Sequence, residues 1–201
     1  MKPDTTEDKL ALFKDSSDLM PMKEQLLLTE FNLLVSTSRG NERNACSELW
    51  YLLGELGDRR AKIDTTGIIG LVVAQTEMDP VEAVEGLRRK LIESPWKFRH
   101  ILKITPIQMV IISDMSKMAE VASELSVTIK PQESFRITVE KRHTELSARE
   151  IIKTMAERIE RPVDLGNPDK IILVQVIGNM TGVSVIPPTG ILSIEREKRT
   201  I

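Results

Sequence analysis

Apolar positions in the first half of the chain alternate between short runs typical of strands and wider spacings typical of helices. The strand-like runs are residues 31–36, 60–64, 68–74 and 101–107. A helical stripe covers residues 42–56. A second helix begins after Asp79, because Asp79, Pro80 and Glu82 suit an N-cap, a first helical position and a capping box. The order strand, helix, strand, strand, helix, strand predicts a ferredoxin-like βαββαβ domain over residues 26–108.

A second set of strands and helices follows over residues 109–194 and predicts a further α/β domain. Its clearest helix begins at Ser147, since Glu150 completes a capping box and Leu146 can pack on Ile151. The other predicted elements are a capped helix within 109–128, an alternating strand over 135–139, an interior strand over 171–177, a hairpin turn over 179–182 and a return strand over 183–186. Residues 1–25 predict a flexible N-terminal arm and residues 195–201 a charged tail. The predicted fold class is therefore α/β of the α+β type.

Composition limits the chemistry that this chain can carry. The formal net charge is −2 over 201 residues, so any nucleic-acid surface would be a local patch. Aromatic residues make up 3% of the chain, which argues against a platform for stacking single-stranded bases. Cys46 is the one cysteine; this excludes an internal disulfide, and its place on the apolar face of a helix predicts a core residue. His100 and His143 lack neighbours at metal-ligand spacing, so no metal is predicted.

Motifs for nucleotide chemistry and for targeting are missing from the sequence. It contains neither a G-x-x-x-x-G-K-[ST] loop nor a G-x-G-x-x-G turn between a strand and a helix, so no cofactor is predicted. Asn167, Pro168 and Asp169 superficially resemble the loop of base-modifying methyltransferases, but these residue types dominate turns, and we interpret them as a turn. The charged N-terminus and the lack of an apolar run of roughly 20 residues predict a cytoplasmic protein that does not enter the membrane.

One cluster of basic residues is a candidate binding patch. It comprises Arg136, Lys141, Arg142 and His143 around one strand, and Arg149 and Lys153 on one face of the next helix. Such a patch can neutralise several phosphates and give an affinity that depends on salt. Glutamates are interleaved with these cations, so on composition alone a solvated surface of mixed charge is the favoured interpretation.

The residues around this cluster resemble the THUMP domain. The resemblance rests on the strand SFRITVEKR (134–142), the capped helix, the segments VDL (163–165) and NPD (167–169), the apolar strand and the GVS segment (182–184). THUMP domains occur in tRNA-modifying enzymes such as 4-thiouridine synthetase, guanosine N2-methyltransferases and a pseudouridine synthase. The resemblance implies an α/β fold that grips structured RNA, typically tRNA near its acceptor end, after an N-terminal ferredoxin-like domain. It also implies that the six basic residues contact RNA, and that Asp164 and Asn167 shape the fold.

The place of the THUMP pattern along the chain bears on activity. THUMP enzymes carry a separate catalytic domain of considerable length, and this chain ends soon after the pattern does, so we expect no catalytic domain. The segment STSRGNE (36–42) resembles the start of the adaptor that helps an acetyltransferase make N4-acetylcytidine in tRNA. The sequence thus predicts a non-catalytic protein that binds tRNA and presents it to a separate modifying enzyme, with a cytidine N4-acetyltransferase as the expected partner.

Two other functions remain open from the sequence. One is a tRNA-modifying enzyme with an unrecognised site, and the other is a structural protein-interaction module whose apolar segment, residues 10–13, makes the contact. The modified nucleotide, the identity of the partner enzyme and the oligomeric state do not follow from the residues.

Overall fold

The computed structural model describes residues 29–201, so the arm predicted for residues 1–25 lies outside the described part. The first sheet has five antiparallel strands in the order β2-β3-β1-β4-β9. Its elements are β1 (Leu33–Thr37), α1 (Glu42–Glu55), β2 (Lys62–Thr65), β3 (Leu71–Gln75), α2 (Pro80–Glu93), a 3-10 turn (Pro95–Lys97) and β4 (Ile101–Pro106). This order confirms the predicted ferredoxin-like arrangement, with β9 as an added edge strand.

The second sheet has four strands in the order β5-β8-β7-β6. Its elements are β5 (Met109–Ile112), α3 (Met115–Ser126), β6 (Phe135–Arg142), α4 (Ala148–Ala156), β7 (Lys170–Ile177) and β8 (Met180–Ile186). Strands β6 and β7 are parallel and are joined through α4, whereas the other neighbours are antiparallel. The side chains of β7 from Ile171 to Ile177 are all buried, as its apolar sequence predicts. β6 is the last strand of this sheet, and its first residue, Phe135, is bridged on the outer edge by Val163.

The end of the chain returns to the first sheet. β9 (Leu192–Ser193) pairs with β4, and α5 (Ile194–Lys198) follows it. The structure places Glu195–Lys198 of the predicted charged tail in α5, and it places Leu192 and Ser193, which the sequence assigned to the second domain, in the first sheet. Leu192 and Ile194 are buried in the first core, and the Lys198 ammonium donates to the backbone oxygen of Phe98 at 2.7 Å. Leu192 and Ile194 lie just before the charged segment that begins at Glu195, so the composition of that segment did not indicate docking.

Local side-chain chemistry explains where the helices begin. The Asp79 carboxylate accepts from the backbone N–H groups of Val81 and Glu82 at 2.9 and 3.0 Å, and Ser147 accepts from Glu150 at 3.4 Å, so both predicted caps are confirmed.

The hairpin turn predicted at 179–182 was wrong, because Gly178 and Asn179 form the turn. A two-residue hairpin needs a positive φ, and Gly178 has a φ of +58°. β5 was not predicted, and α4 ends at Ala156, one turn earlier than its pattern indicates.

The two sheets pack against each other through the faces that the helices leave uncovered. One buried cluster joins Leu34, Val73 and Ile107 to Ile177 of β7, and another joins Leu173 of β7 to Val81 of α2 and other residues of both parts. The Ser184 hydroxyl of β8 donates to the Pro106 oxygen at 2.6 Å. The ferredoxin-like part and the second part therefore share a core.

Between residues 29 and 201, none of the helices combines the length and the apolar character needed to cross a bilayer.

Candidate nucleic-acid interface

The edge strand β6 separates the predicted basic residues into two groups. Side chains alternate along a strand, so Arg136 and Arg142 lie on one face and Lys141 on the other. Arg136 and Arg142 are also six residues apart, which is about 20 Å along a strand. The structure thus places Arg136 at the opposite end of β6 from Lys141, Arg142 and His143.

Arg136 holds a loop of its own domain. Its guanidinium Nη1 donates to the backbone oxygen of Leu165 at 3.0 Å, and its Nε is buried without a hydrogen-bond partner among the described residues. The Asp164 carboxylate in the same loop accepts from the backbone N–H groups of Gly166 and Asn167 at 2.9 and 3.0 Å. One of the five N–H donors of Arg136 is therefore used to hold the loop of its own domain.

The other five basic residues lie around the end of β6 and the start of α4. We call this set the β6–α4 surface: Lys141, Arg142, His143, Arg149 and Lys153. The Lys141 ammonium bonds the Leu146 oxygen and closes the connecting loop, in which His143 has a positive φ of +53°. Arg149 is exposed and forms no ion pair within residues 29–201, and Lys153 is exposed with a weak contact of 4.0 Å to Glu157. Cations therefore flank both faces of the open β6 edge.

An acidic residue of the same strand is neutralised by the first sheet. Glu140 accepts from the Lys103 ammonium at 2.8 and 3.0 Å, with both side chains about one-third exposed or less. Burial raises the pKa of Glu140, but the hydrogen bonds and the charge of Lys103, helped by Arg142, outweigh burial and leave the pKa below its ordinary value. Because Glu140 is already paired with Lys103, it neutralises less of the positive charge of Arg142 than an unpaired carboxylate would.

We expect Lys103→Met to lower the free energy of unfolding by about 1 to 2 kcal/mol at neutral pH, because a half-buried carboxylate loses its partner. The pKa of Glu140 is depressed in the folded state. The stabilisation is therefore present above the ordinary carboxyl pKa and is lost as the pH falls through the folded-state pKa. Urea unfolding at neutral and acid pH measures this difference, and the double variant K103M/E140Q should recover most of it. A deficit that stays constant into acid would show that Lys103 acts through the packing of its stem.

Exposed aromatic residues were missed by the sequence analysis. Phe31, Phe98 and Phe135 are buried, whereas Trp50, Tyr51 and Trp96 are 57, 49 and 64% exposed. A signal for two of them exists in the sequence. The buried stripe of α1 consists of Ala45, Leu49, Leu52 and Leu53, and Trp50 and Tyr51 fall outside it. A low aromatic content therefore does not imply an aromatic-poor surface.

The arrangement of acidic residues, histidines and Cys46 within residues 29–201 can be described directly. No group of three or more His, Cys, Asp or Glu side chains between residues 29 and 201 is placed to hold a metal ion. Burial, with the charge of Asp64, raises the pKa of the Cys46 thiol to about 11, so the thiol stays protonated at neutral pH. Cys46 is partly buried against the first core, close to its predicted place.

Comparisons with known proteins agree with this architecture. Residues 113–186 match the family model of the THUMP domain. The uncharacterized protein MJ0421 of Methanocaldococcus jannaschii is 25% identical over 171 residues, which cover 83% of this chain and 44% of that protein. The crystal structure of PH1313 from Pyrococcus horikoshii Ot3 superposes with a TM-score of 0.60 at 19% identity, covering 78% of this chain and 55% of that one.

A 4-thiouridine synthetase, crystallised as an RNA complex with bound ATP, has a TM-score of 0.52 at 14% identity. The match covers 82% of this chain and 42% of the synthetase. At such identities the likeness to solved structures shows the fold. The chain spans about half, or less, of the length of these three proteins.

Proposed function

We propose, from the THUMP domain that residues 113–186 form, that this chain binds structured RNA of the tRNA class and presents it to a modifying active site without doing the chemistry itself. The RNA contacts the β6–α4 surface, with Arg142 and Arg149 as the central cations. Arg136 contributes by fixing the loop at the other end of β6. The predicted contact of Arg136 with RNA remains a prediction.

The observation that carries the proposal is the outer edge of β6 beyond Phe135, which no other strand of residues 29–201 covers; Phe135 itself is bridged by Val163. This edge is flanked by Arg142 on one face and by Arg149 and Lys153 on α4, which offers cations on both sides of a ridge. Phosphates of an RNA helix can straddle such a ridge, since contacts to phosphates and 2′-hydroxyls need position rather than base reading. Glu145 and Glu150 are exposed nearby, so the affinity of this surface alone is modest. The 4-thiouridine synthetase of like fold, which holds RNA in its crystal, supports the same use of this architecture.

The proposed partner is a tRNA-modifying enzyme. The segment from Ser36 to Glu42 makes a cytidine N4-acetyltransferase the first candidate. In the structure this segment covers the end of β1, the turn that follows and the first residue of α1, where the Glu42 carboxylate accepts from the backbone N–H groups of Gly40 and Gly70 at 3.2 and 2.7 Å. Pull-down of the acetyltransferase after nuclease treatment would separate a direct contact from RNA bridging.

The proposed function is tested by tRNA binding and by nucleoside analysis of the same samples. Purified protein should shift tRNA in a gel, with an affinity that falls steeply as salt rises. After incubation with tRNA and candidate cofactors, mass spectrometry should find unchanged nucleosides. A new modified nucleoside would show an enzyme instead, and a lack of tRNA binding at low salt would favour a protein-interaction module.

A further inference from the structure

A pocket of about 400 Å³ lies between α1 and the 3-10 turn, on the ferredoxin-like part. We call it the α1 pocket. Its lining includes Asn44, Glu48, Tyr51, Trp96, Arg99 and His100. The volume lies within the usual range for small-ligand sites, and aromatic faces there stand beside hydrogen-bonding groups. The β6–α4 surface includes none of these residues.

The walls of the α1 pocket are held in place by hydrogen bonds. The Glu48 carboxylate accepts from the successive backbone N–H groups of Arg99, His100 and Ile101 at 2.9, 2.9 and 3.1 Å. The Arg99 Nε donates to the Trp96 oxygen at 3.1 Å, which fixes the turn that carries the indole. A rigid wall of this kind loses little conformational entropy when it binds a ligand.

Contacts with Lys97 and Glu55 hold the Tyr51 side chain in place, whereas the Trp96 side chain is mostly exposed to solvent. The Lys97 ammonium lies 5.3 Å from the centre of the Tyr51 ring and bonds Glu55, to which the Tyr51 hydroxyl also donates at 2.8 Å. Trp96 is 64% exposed in a short turn. A large aromatic face left in water next to an arginine is the arrangement on which a nucleobase stacks.

The path of β4 extends from the second sheet toward this pocket, although α1 packs on the face of the first sheet that points away from the second sheet. Lys103 of β4 donates to Glu140 on β6, and the Pro106 oxygen accepts from Ser184 on β8. β8 is two strands away from β6 in the second sheet. β4 therefore crosses that sheet from its β6 edge inward. His100 precedes Lys103 by three residues, which is about 10 Å along an extended chain, so His100 lies beyond the β6 edge. The α1 pocket is thus on the same side of the molecule as Arg142.

We propose that the α1 pocket binds one unpaired nucleotide of the RNA whose helix rests on the β6–α4 surface. The base stacks on Trp96, Asn44 and His100 offer hydrogen bonds to its edge, and Arg99 supplies a cation for its phosphate. This inference rests on the proposed function and adds a single-stranded element to the substrate. The pocket is shallow and open to solvent, and an exposed aromatic face lies there beside polar groups, which suits a stacked nucleotide.

The test compares Trp96→Ala with wild type on two RNAs, a hairpin with a short unpaired 3′ extension and the same hairpin with a blunt end. Trp50→Ala is the matched control, since Trp50 is 57% exposed on α1 and does not line the pocket. Loss of one base–aromatic stack should weaken binding of the extended hairpin by about 5- to 100-fold. Binding of the blunt hairpin by W96A, and of both RNAs by W50A, should stay within twofold of wild type.

A fluorescence measurement reports the contact between Trp96 and the RNA directly. In the Trp50→Phe background Trp96 is the one tryptophan, and the extended hairpin should quench its fluorescence more than the blunt one. Equal affinities of W96A and wild type for both RNAs would overturn the pocket while leaving the proposed function intact. If wild type binds neither RNA, the proposed function and this inference are both overturned.

Discussion

The double variant Arg142→Glu/Arg149→Glu is expected to bind tRNA roughly 10- to 100-fold more weakly than wild type near 0.1 M salt. Both side chains flank the open edge of β6, and Arg149 forms no ion pair with the described residues, so each is available to a phosphate. Losing two phosphate contacts should also reduce the slope of log affinity against log salt by about 1.4 to 1.8. A gel-shift or anisotropy titration at several salt concentrations measures both quantities.

A control with the same change in net charge separates a local patch from overall repulsion. Lys62→Glu/Lys117→Glu alters exposed lysines on β2 and at the start of α3, away from the β6 edge. This control should lower affinity by less than about threefold, because charges beyond a Debye length are screened. Equal losses in the two double variants would contradict a defined surface, and an unchanged salt slope in R142E/R149E would show that neither arginine meets a phosphate.

Much of the fold could be predicted because local chemistry and tertiary packing agree in most elements. Asp79 and Ser147 mark helix starts that the structure confirms, and the apolar run of β7 correctly indicates a strand buried on both faces. β5 was not predicted, since its four half-buried residues carry little periodicity beside the helix that follows. The helix α5 was hidden for a related reason, because its stability depends on docking and not on its own short, charged sequence.

Less of the candidate site could be predicted, because its properties depend on contacts between distant segments. The basic residues of β6 are evident from the sequence. The sequence does not show that Arg136 bonds Leu165, or that Glu140 pairs with Lys103, which is 37 residues away. The contact with Lys103 changes the electrostatic balance of the patch, since it neutralises an acid that otherwise weakens the field. The α1 pocket joins residues about 50 apart in sequence, and no periodicity marks it.

Leu173→Ala is expected to lower the free energy of unfolding of the whole chain by about 2 to 5 kcal/mol. Leu173 is fully buried on the face of β7 that packs with Val81 and Ile191, so its truncation leaves a cavity where the two parts share a core. Because both tryptophans lie on the ferredoxin-like part, their fluorescence follows that part while circular dichroism follows all the helices and strands. Urea unfolding with both probes should give one coincident transition, shifted to lower urea in the variant.

Ile172→Ala is the matched comparison, since Ile172 is equally buried on the opposite face of β7 and packs in the core beneath α3 and α4. If the shared core makes the chain one cooperative unit, this variant too should shift the tryptophan transition, although no tryptophan lies in its domain. A tryptophan transition that stays at the wild-type urea concentration in I172A, while circular dichroism resolves two steps, would show two separately folding domains. In that case the α1 pocket and the β6 edge would be held together by a weak contact, and the RNA would have to order them on binding.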